Sequence, residues 1–560
     1  MLAHDVIVVG GGLAGLMAAL ESRRLNVAVA TKVYPTQSHS GAAQGGFNAA
    51  MTPPDSVEAH IADTITGSDY LADQDAVAVM CSGASEVINE LDRLGVMWSR
   101  TEDGRIAQRL LGGSSFPRAC YAADMSGHVV LHTLYEQVLR AGIPVYPEWH
   151  LLGLLVEEGR VAGAAFWNLP AGQLVIVRAR AVILATGGYG RVFAKTTNGF
   201  GSTGDGVAIA FRAGAVVSDL ELVQFHPTTL YGTNILISEG ARGEGGHLRD
   251  GRGERFMATY APKMMELAPR DVVSRAIATE IREGGGAEGG YVHLDLTHLG
   301  EAVIRERLPQ VLELARNYAG VDAIRQPIPI EPAQHYSMGG IRTDTWGATT
   351  LPDLFAAGEC ANVSVHGANR LGGNSLLETV VFGRRVGRRV TESLRKREAN
   401  TVPVRSVRDF EDWWRSLFKR GTPVRQDARA VTGLRTRLTS VMTENVGVFR
   451  TAAGLREAVA EVDAVREAYE ALRIAPPQGA FDYRLMSFWE LGFLIDLAGI
   501  VAEGALRRTE SRGAHYRTDF PERDDARWLK HTFARSVAGQ PAFEDGEVRI
   551  GRLAPQSRTY

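Results

Sequence analysis

Asp5-Val-Ile-Val-Val9 is a short apolar, β-branched run, and Gly10-Gly-Gly-Leu-Ala-Gly15 follows it directly. A helical spacing of apolar residues (Leu16, Ala19, Leu20) then leads to a second apolar run, Val27-Ala-Val-Ala30. The order strand, glycine turn, helix, strand predicts the opening βαβ unit of a dinucleotide-binding sheet. Ala181-Val-Ile-Leu-Ala-Thr-Gly-Gly188 and Leu354-Phe-Ala-Ala-Gly-Glu359 repeat the apolar-then-glycine form far downstream and are assigned to the same sheet, the second followed by a helix over 374–390.

Between these runs the texture changes. Residues from about 225 to 331 contain the loop-like Glu283-Gly-Gly-Gly-Ala-Glu-Gly-Gly290 and leave through Gln326-Pro-Ile-Pro-Ile-Glu-Pro332, the composition of an inserted domain with a return linker. Beyond Arg405 the pattern is helical: Leu455, Val459, Val462, Val465, Tyr469 and Leu472 recur at steps of three and four, one stripe on one helix, and 481–507 predicts another long helix. The expected fold is α/β. A Rossmann-like nucleotide-binding domain (1–225 and 333–404) carries an inserted capping domain (226–332), followed by a helical bundle (405–515) and a short C-terminal segment (516–560) whose structure the pattern does not define.

Composition narrows the function classes. The 61 Lys and Arg against 64 Asp and Glu leave a net charge of −3, which provides no nucleic-acid footprint. With 45% hydrophobic and 22% charged residues, the 560-residue chain can bury large cores. Three scattered cysteines (Cys81, Cys120, Cys360) make neither a disulfide framework nor a four-thiolate metal site, and a reducing compartment is expected. The apolar stretch from Val6 to Leu20 lacks a basic flank and is broken by three glycines, so it reads as neither signal peptide nor anchor. No uninterrupted apolar run of roughly 18 to 20 residues is present, so membrane association is expected through a partner, in a prokaryotic cytoplasm.

Several segments could carry chemistry. Gly10-x-Gly12-x-x-Gly15 has the context that lets a pyrophosphate lie on backbone N–H groups at a helix start, although a glycine turn packing helix on strand is the plain alternative. The acidic ribose ligand expected after the second strand is replaced by Thr31-Lys32, which weakens NAD more than FAD. Residues 32 to 46 are too polar and glycine-rich for core and should face the cofactor; His39, taken alone, reads as a loop histidine rather than a chemical one. The loop Ser238-Glu-Gly-Ala-Arg-Gly-Glu-Gly-Gly246, with Gln224-Phe-His-Pro-Thr228 just ahead, is either a solvated turn or part of a pocket. Pro269-Arg270-Asp271, His335-Tyr-Ser-Met-Gly-Gly340 and His366-Gly-Ala-Asn-Arg-Leu-Gly-Gly-Asn-Ser375 add arginines and histidines beside glycines. Singly these could be structural, Arg270 for instance pairing with Asp271 and opening a helix. Together they would make a cationic pocket for a small dianion, because arginine presents a planar fork matched to carboxylate.

Over nearly its whole length the chain resembles the flavoprotein subunit of succinate dehydrogenase and fumarate reductase. The motifs that carry the likeness are Ser38-His-Ser with Ala43-Gln-Gly-Gly46, Ala185-Thr-Gly-Gly188, Thr203-Gly-Asp-Gly206, Gln224-Phe-His-Pro227, Glu239-Gly-Ala-Arg-Gly-Glu-Gly-Gly246, His366-Gly-Ala-Asn-Arg-Leu-Gly372 and Thr509-Glu-Ser-Arg-Gly-Ala-His515. The resemblance implies FAD as cofactor, held covalently by His39 through the flavin's 8α-methyl carbon. It implies FAD contacts from Gly10, Gly11, Gly12, Leu13, Ala14, Gly15, Lys32, Ser38, Gln44, Gly45, Gly46, Asp205, Glu359, Ser375 and Leu376, with Glu359 supplying the ribose contact missing at Lys32. It implies that His226, Ser238, Glu239, His335 and Arg370 hold the carboxylates of succinate or fumarate, and that Arg270 donates and accepts the proton, fed through Glu239 and Arg242. Arginine as a base conflicts with an intrinsic pKa above about 12; Arg242 as neighbouring cation and fixed hydrogen bonds are the means of lowering it, and in the fumarate direction a protonated arginine is the correct starting state. Two departures from the family pattern stand at Ala241, often cysteine, and Ser238, usually threonine. The likeness further implies an iron–sulfur partner subunit and a membrane anchor with a quinone site, placing the chain peripherally on the cytoplasmic side of a prokaryotic inner membrane. L-Aspartate oxidase, a soluble relative that binds FAD without a covalent bond, is the rival.

Overall fold

Val6, Ile7, Val8 and Val9 are at most 4% exposed because the strand that contains them has neighbours on both edges and cover on both faces. In the computed structural model, which describes residues 2–396, 404–418 and 427–558, this strand (Leu2–Val9) runs parallel to Val27–Thr31, with Val6 opposite Val27, and to Gln173–Leu184, with Val6 opposite Ala181. Burial on both faces explains the unbroken apolar run. Among the described residues the sheet has seven strands. Val145–Pro147 extends it beyond Val27–Thr31, Leu354–Ala356 pairs in parallel with Gln173–Leu184, and an antiparallel pair, Arg160–Asn168 and Trp149–Glu157, completes it. Both downstream apolar-then-glycine segments therefore join the sheet of the first strand.

Helix Leu13–Glu21 packs against helix Asn374–Arg395, which runs five residues past the end expected from its pattern. Glycines set their approach: a β-carbon at Gly383 would lie 2.6 Å from the Ala14 carbonyl oxygen and one at Gly387 2.5 Å from that of Ala18. The region between the sheet strands builds its own four-stranded antiparallel sheet, in the order Val223–Leu230, Ile328–Ser337, Val292–Asp295, His247–Arg249, over a separate apolar core.

Helices Asp427–Asn445, Ala452–Ala471 and Tyr483–Arg507 pack together. On the middle helix Leu455, Val462 and Val465 are buried, and Val459, Tyr469 and Leu472 pack at the edge of the same core. Tyr483–Arg507 is, by length and composition, apolar enough to cross a bilayer, but 72% of its apolar window is buried inside the protein. The expected boundary near residue 404 adjoins residues outside those described. The last segment holds a hairpin, Lys530–Val537 with Gln540–Glu547, which pairs onto Val217–Ser218. Its inner anchor is His531, whose Nδ1 lies 2.8 Å from Asp219 Oδ2. Cys120 sits in a short strand (Ala119–Cys120), and all three cysteines are buried.

Candidate active site

The glycine-rich loop after Ile237 is not a solvated turn. It folds into a short helix, Glu239–Gly243, capped by Ser238, whose Oγ accepts from Gly240 N at 3.1 Å, and Glu239, Ala241 and Arg242 are fully buried. Arg270 follows Pro269 at the start of helix Arg270–Arg282 and clasps one oxygen of Glu239, with Nη2 at 2.6 Å and Nε at 3.0 Å. Asp271, the partner suggested by adjacency, binds Arg275 and Arg558 instead, because consecutive residues on a helix face different ways. On the other side of Glu239, Arg242 Nη2 lies 3.4 Å from Oε1, and Arg242 Nη1 donates to the Glu266 carbonyl at 2.5 Å. Arg270, Glu239 and Arg242 thus form one continuous, water-shielded row. Burial alone would raise the Glu239 carboxyl, but Arg270 and Arg242 outweigh it and hold the pKa below the usual carboxylate value. Burial pushes the Arg242 guanidinium down, against the opposing pull of Glu239.

His226 and His335 stand on the paired strands Val223–Leu230 and Ile328–Ser337, their rings T-shaped with centroids 4.9 Å apart. Burial, then Arg270, pushes the His226 pKa well below its ordinary value; burial, then His226, does the same for His335. Both are therefore neutral hydrogen-bonding groups rather than cations. His226 Nδ1 is engaged by the Thr228 backbone, and its buried Nε2 has no hydrogen-bond partner among the described residues. His335 Nδ1 lies 2.8 Å from Thr197 Oγ1.

Arg370 has no carboxylate partner among the described residues. It is 2% exposed, with Nη1 3.1 Å from Ser375 Oγ, its guanidinium carbon 4.5 Å from the centroid of the Tyr336 ring, and Nε buried with no hydrogen-bond partner among the described residues. Burial, and then Arg270, pushes its pKa down to about 9. Gln224 joins the two arginines: its Oε1 accepts from Arg270 Nη1 at 3.1 Å, and its Nε2 donates to the Arg370 carbonyl at 2.7 Å and to Asn369 at 2.9 Å. Sequence reasoning noted its motif without giving Gln224 a role; its place two residues before His226, on the same strand face, was the available signal.

The cofactor side is built around the glycine turn. Gly10 has φ +119°, where a β-carbon would strike the Ala185 carbonyl oxygen, and one at Gly15 would strike that of Gly10. Helix Leu13–Glu21, beginning after Gly11 and Gly12 and carrying Leu13 and Ala14 in its first turn, has no side-chain cap and no acidic residue there, so its N–H groups suit an anion. Ser38 Oγ and Gln44 Oε1 are buried without hydrogen-bond partners among the described residues. Gly46 (φ +123°) packs on the Cys120 carbonyl, and Arg109, another residue missed from sequence, ties this loop by donating to the carbonyls of Gln44 (3.0 Å), Gly45 (3.2 Å) and Ala123 (2.7 Å). Ser375 and Leu376 lie in the first turn of helix Asn374–Arg395. Glu359 Oε1 accepts from Ser337 N at 2.9 Å, and burial lifts its pKa to about 7. Lys32 and Asp205, each expected to touch the cofactor, are joined to one another at 2.9 Å; Lys32 also binds Thr203 and Glu490, so all three of its donors are taken within the protein. His39 opens a short 3-10 turn, with Nδ1 3.4 Å from Gly199 N and Nε2 3.3 Å from Asn198 Nδ2. Burial, then Arg191, pushes its pKa to about 4.

A helix start with no acidic residue and no N-cap side chain, glycines that exclude side chains and orphaned polar groups together fit a flavin dinucleotide. Residues 5–376 match the family pattern described as FAD binding domain, and residues 435–560 that described as Fumarate reductase flavoprotein C-term. The succinate dehydrogenase flavoprotein subunit of Coxiella burnetii is 43% identical over 97% of this chain and 95% of its own length. The chain belongs to the succinate dehydrogenase and fumarate reductase flavoprotein family. The fumarate reductase flavoprotein subunit of Mycobacterium tuberculosis is 41% identical over 98% of this chain and 97% of its own. A solved chain of Escherichia coli quinol fumarate reductase superimposes with a TM-score of 0.95 at 38% identity, covering 100% of this chain and 99% of that one. Membership in this flavoprotein family makes FAD the cofactor and does not favour L-aspartate oxidase.

Proposed function

We propose that this chain is the catalytic flavoprotein subunit of a complex that interconverts succinate and fumarate. The row Arg270–Glu239–Arg242, facing neutral His226 and His335 and the cation Arg370, which has no carboxylate partner among the described residues, carries the reading. Removing a hydride from one carbon of succinate and a proton from its neighbour requires two groups on opposite sides of a fixed dicarboxylate. FAD, when bound, supplies the hydride acceptor or donor. Arg370 neutralises one carboxylate, with His335, His226 and Ser238 as hydrogen-bonding neighbours, and orientation of the bound substrate supplies much of the rate. Arg270 moves the proton at the adjacent carbon, Glu239 holds the Arg270 guanidinium in place, and Arg242 exchanges the proton onward. Segment 226–332 serves as the cap that contributes Arg270, Glu239 and Arg242, while 1–225 with 333–404 holds FAD, the helices of 405–515 brace it, and 516–560 closes the structure.

His39 is the residue proposed to carry FAD covalently. Its depressed pKa supports this, since only the neutral imidazole has a lone pair to bond to the 8α-methyl carbon. Gly10 to Gly15, Ser38, Gln44 to Gly46, Glu359, Ser375 and Leu376 are proposed to contact FAD, with Lys32 and Asp205 bracing that site through their ion pair. Electrons then leave to an iron–sulfur subunit and a membrane quinone site, the three buried cysteines being unable to build such a relay. That arrangement places the protein peripherally at a membrane, on the cytoplasmic side in a prokaryote. Purified protein assayed with an artificial electron acceptor tests the activity: succinate supports turnover and L-aspartate does not. Turnover with L-aspartate alone would overturn the proposal.

A further inference from the structure

Helix Arg270–Arg282 is held at its first turn by the carboxyl-terminal tail. The Asp271 side chain has no solvent exposure, and its Oδ2 receives Arg558 Nη2 at 2.7 Å and Arg275 Nη2 at 3.1 Å. Arg558 also reaches Asp69 Oδ2 at 3.2 Å. Asp69 is itself tied to the neighbouring C-terminal segment: its carboxylate accepts from Gly513 N at 2.8 Å and from Arg523 at 2.7 Å, and its carbonyl from Arg512 at 3.0 Å. Asp69 and Tyr70 have φ values of +54° and +61°, left-handed conformations that a non-glycine residue keeps only when its surroundings impose them. The same segment reaches the loop of the second arginine, where Ala514 N donates to the Ala368 carbonyl at 2.8 Å.

Burial alone would raise the Asp271 carboxyl, but Arg558 and then Arg275 outweigh it and hold the group charged. Without Arg558 the buried carboxylate would keep, among the described residues, only Arg275 as its cation, whose Nη1 is committed to the Gly513 carbonyl at 2.7 Å. The first helical turn would then shift toward another partner or toward solvent, and Arg270, the adjacent residue, would move with it. Its two-nitrogen grip on Glu239, at 2.6 and 3.0 Å, does not survive a displacement of about 1 Å, and a misplacement of that size costs about 100-fold in rate. The groups assigned to the carboxylates, His226, His335 and Arg370, stand on other elements.

We propose that Arg558 is a positioning residue for the proton step: its ion pair with Asp271 fixes the start of the Arg270 helix and thereby holds the Arg270 guanidinium on Glu239. This rests on the proton role proposed for Arg270. In the FAD-loaded protein, Arg558→Gln is expected to lower kcat for succinate roughly 10- to 100-fold, with malonate affinity, read from the flavin absorbance shift, within about threefold of the parent. Arg558→Lys, which keeps the charge but is shorter than the side chain whose Nη2 meets both carboxylates, should give an intermediate kcat with the same malonate affinity. Adding Arg558→Gln to Asp271→Asn should lower kcat no further, since the two share one interaction. Unchanged kcat in Arg558→Gln, or in Arg558→Lys if the glutamine variant does not accumulate, overturns the proposal, as does a kcat loss matched by lost malonate affinity. Arg270→Ala separates the two levels: if it keeps kcat, the proton role fails, and if it loses kcat while Arg558→Gln does not, only the positioning role fails.

Discussion

Arg370→Ala should abolish tight dicarboxylate binding while leaving the Arg270–Glu239 clasp in place. Arg370 is buried, makes one side-chain hydrogen bond to Ser375 and a stacking contact with Tyr336, and leaves Nε without a hydrogen-bond partner among the described residues. A dicarboxylate entering this pocket gains its charge partner from that guanidinium. Truncating one side of such a desolvated pair costs roughly 2 to 5 kcal/mol, a weakening of about 30- to 4,000-fold at about 1.4 kcal/mol per decade. The pH dependence follows from the same group. Burial and Arg270 hold the free-protein pKa of Arg370 near 9, so the cation is intact below that pH and lost above it. Accordingly kcat/KM for succinate should be level with respect to this group up to about pH 9 and then fall about tenfold per unit as Arg370 deprotonates. Malonate titration by flavin absorbance gives the affinity, and steady-state kinetics with an artificial acceptor give the profile. A loss below about threefold in Arg370→Ala would refute the assignment of Arg370 as the carboxylate partner, and a kcat/KM that stays level to pH 10.5 would refute its lowered pKa.

Flavin should remain with the denatured polypeptide as fluorescence on a denaturing gel, and His39→Ser should release it without abolishing FAD binding, because the glycine-turn contacts do not depend on that bond; the variant should lose succinate oxidation more than fumarate reduction. A wild-type band without fluorescence would remove the covalent assignment. Activity should resist maleimide, since the three cysteines are buried and burial pushes their thiols up to about 12, 12 and 11 for Cys81, Cys120 and Cys360; rapid, malonate-protected inactivation would contradict this. Burial alone would lower the His531 pKa, but Asp219 and Asp73 outweigh it and raise it to about 10. A raised histidine stabilises fully below its ordinary value near 6.5 and loses that contribution as pH rises through 10. Thermal unfolding between pH 6.5 and 10 should therefore show a falling Tm that His531→Gln flattens, and parallel curves for the two proteins would disprove the coupling.

Local patterning made some of this architecture legible. The run Val6–Val9, the glycines at 10, 12 and 15 and the stripe from Leu455 to Leu472 each reflect one element packing on its immediate surroundings, and each appears where its spacing places it. The site was legible as separate pieces: contacts among Gln224, Glu239, Arg270 and Arg370, and between His226 and His335, link 224–228, 238–246, 269–271, 335–340 and 366–375. Their pairing was not legible from spacing, because ion pairs such as Arg270–Glu239 and Lys32–Glu490 join positions 31 and 458 residues apart, and only the family resemblance linked Arg270 to Glu239. Adjacency suggested Asp271 for Arg270, and helix geometry sends the two side chains to different neighbours. The carboxyl-terminal hairpin was opaque for a related reason. Its strands alternate weakly and find their partner in Val217–Ser218, a strand of two residues with no pattern of its own.

The most direct test of the proton row is anaerobic flavin bleaching by succinate in Arg270→Ala, followed by stopped flow beside the parent protein. The parent should bleach with succinate. The variant should still bind malonate through Arg370, His226 and His335, yet bleach at least about 100-fold more slowly, the lower end of what a lost acid–base group costs. Bleaching of Arg270→Ala at the parent rate would contradict the account.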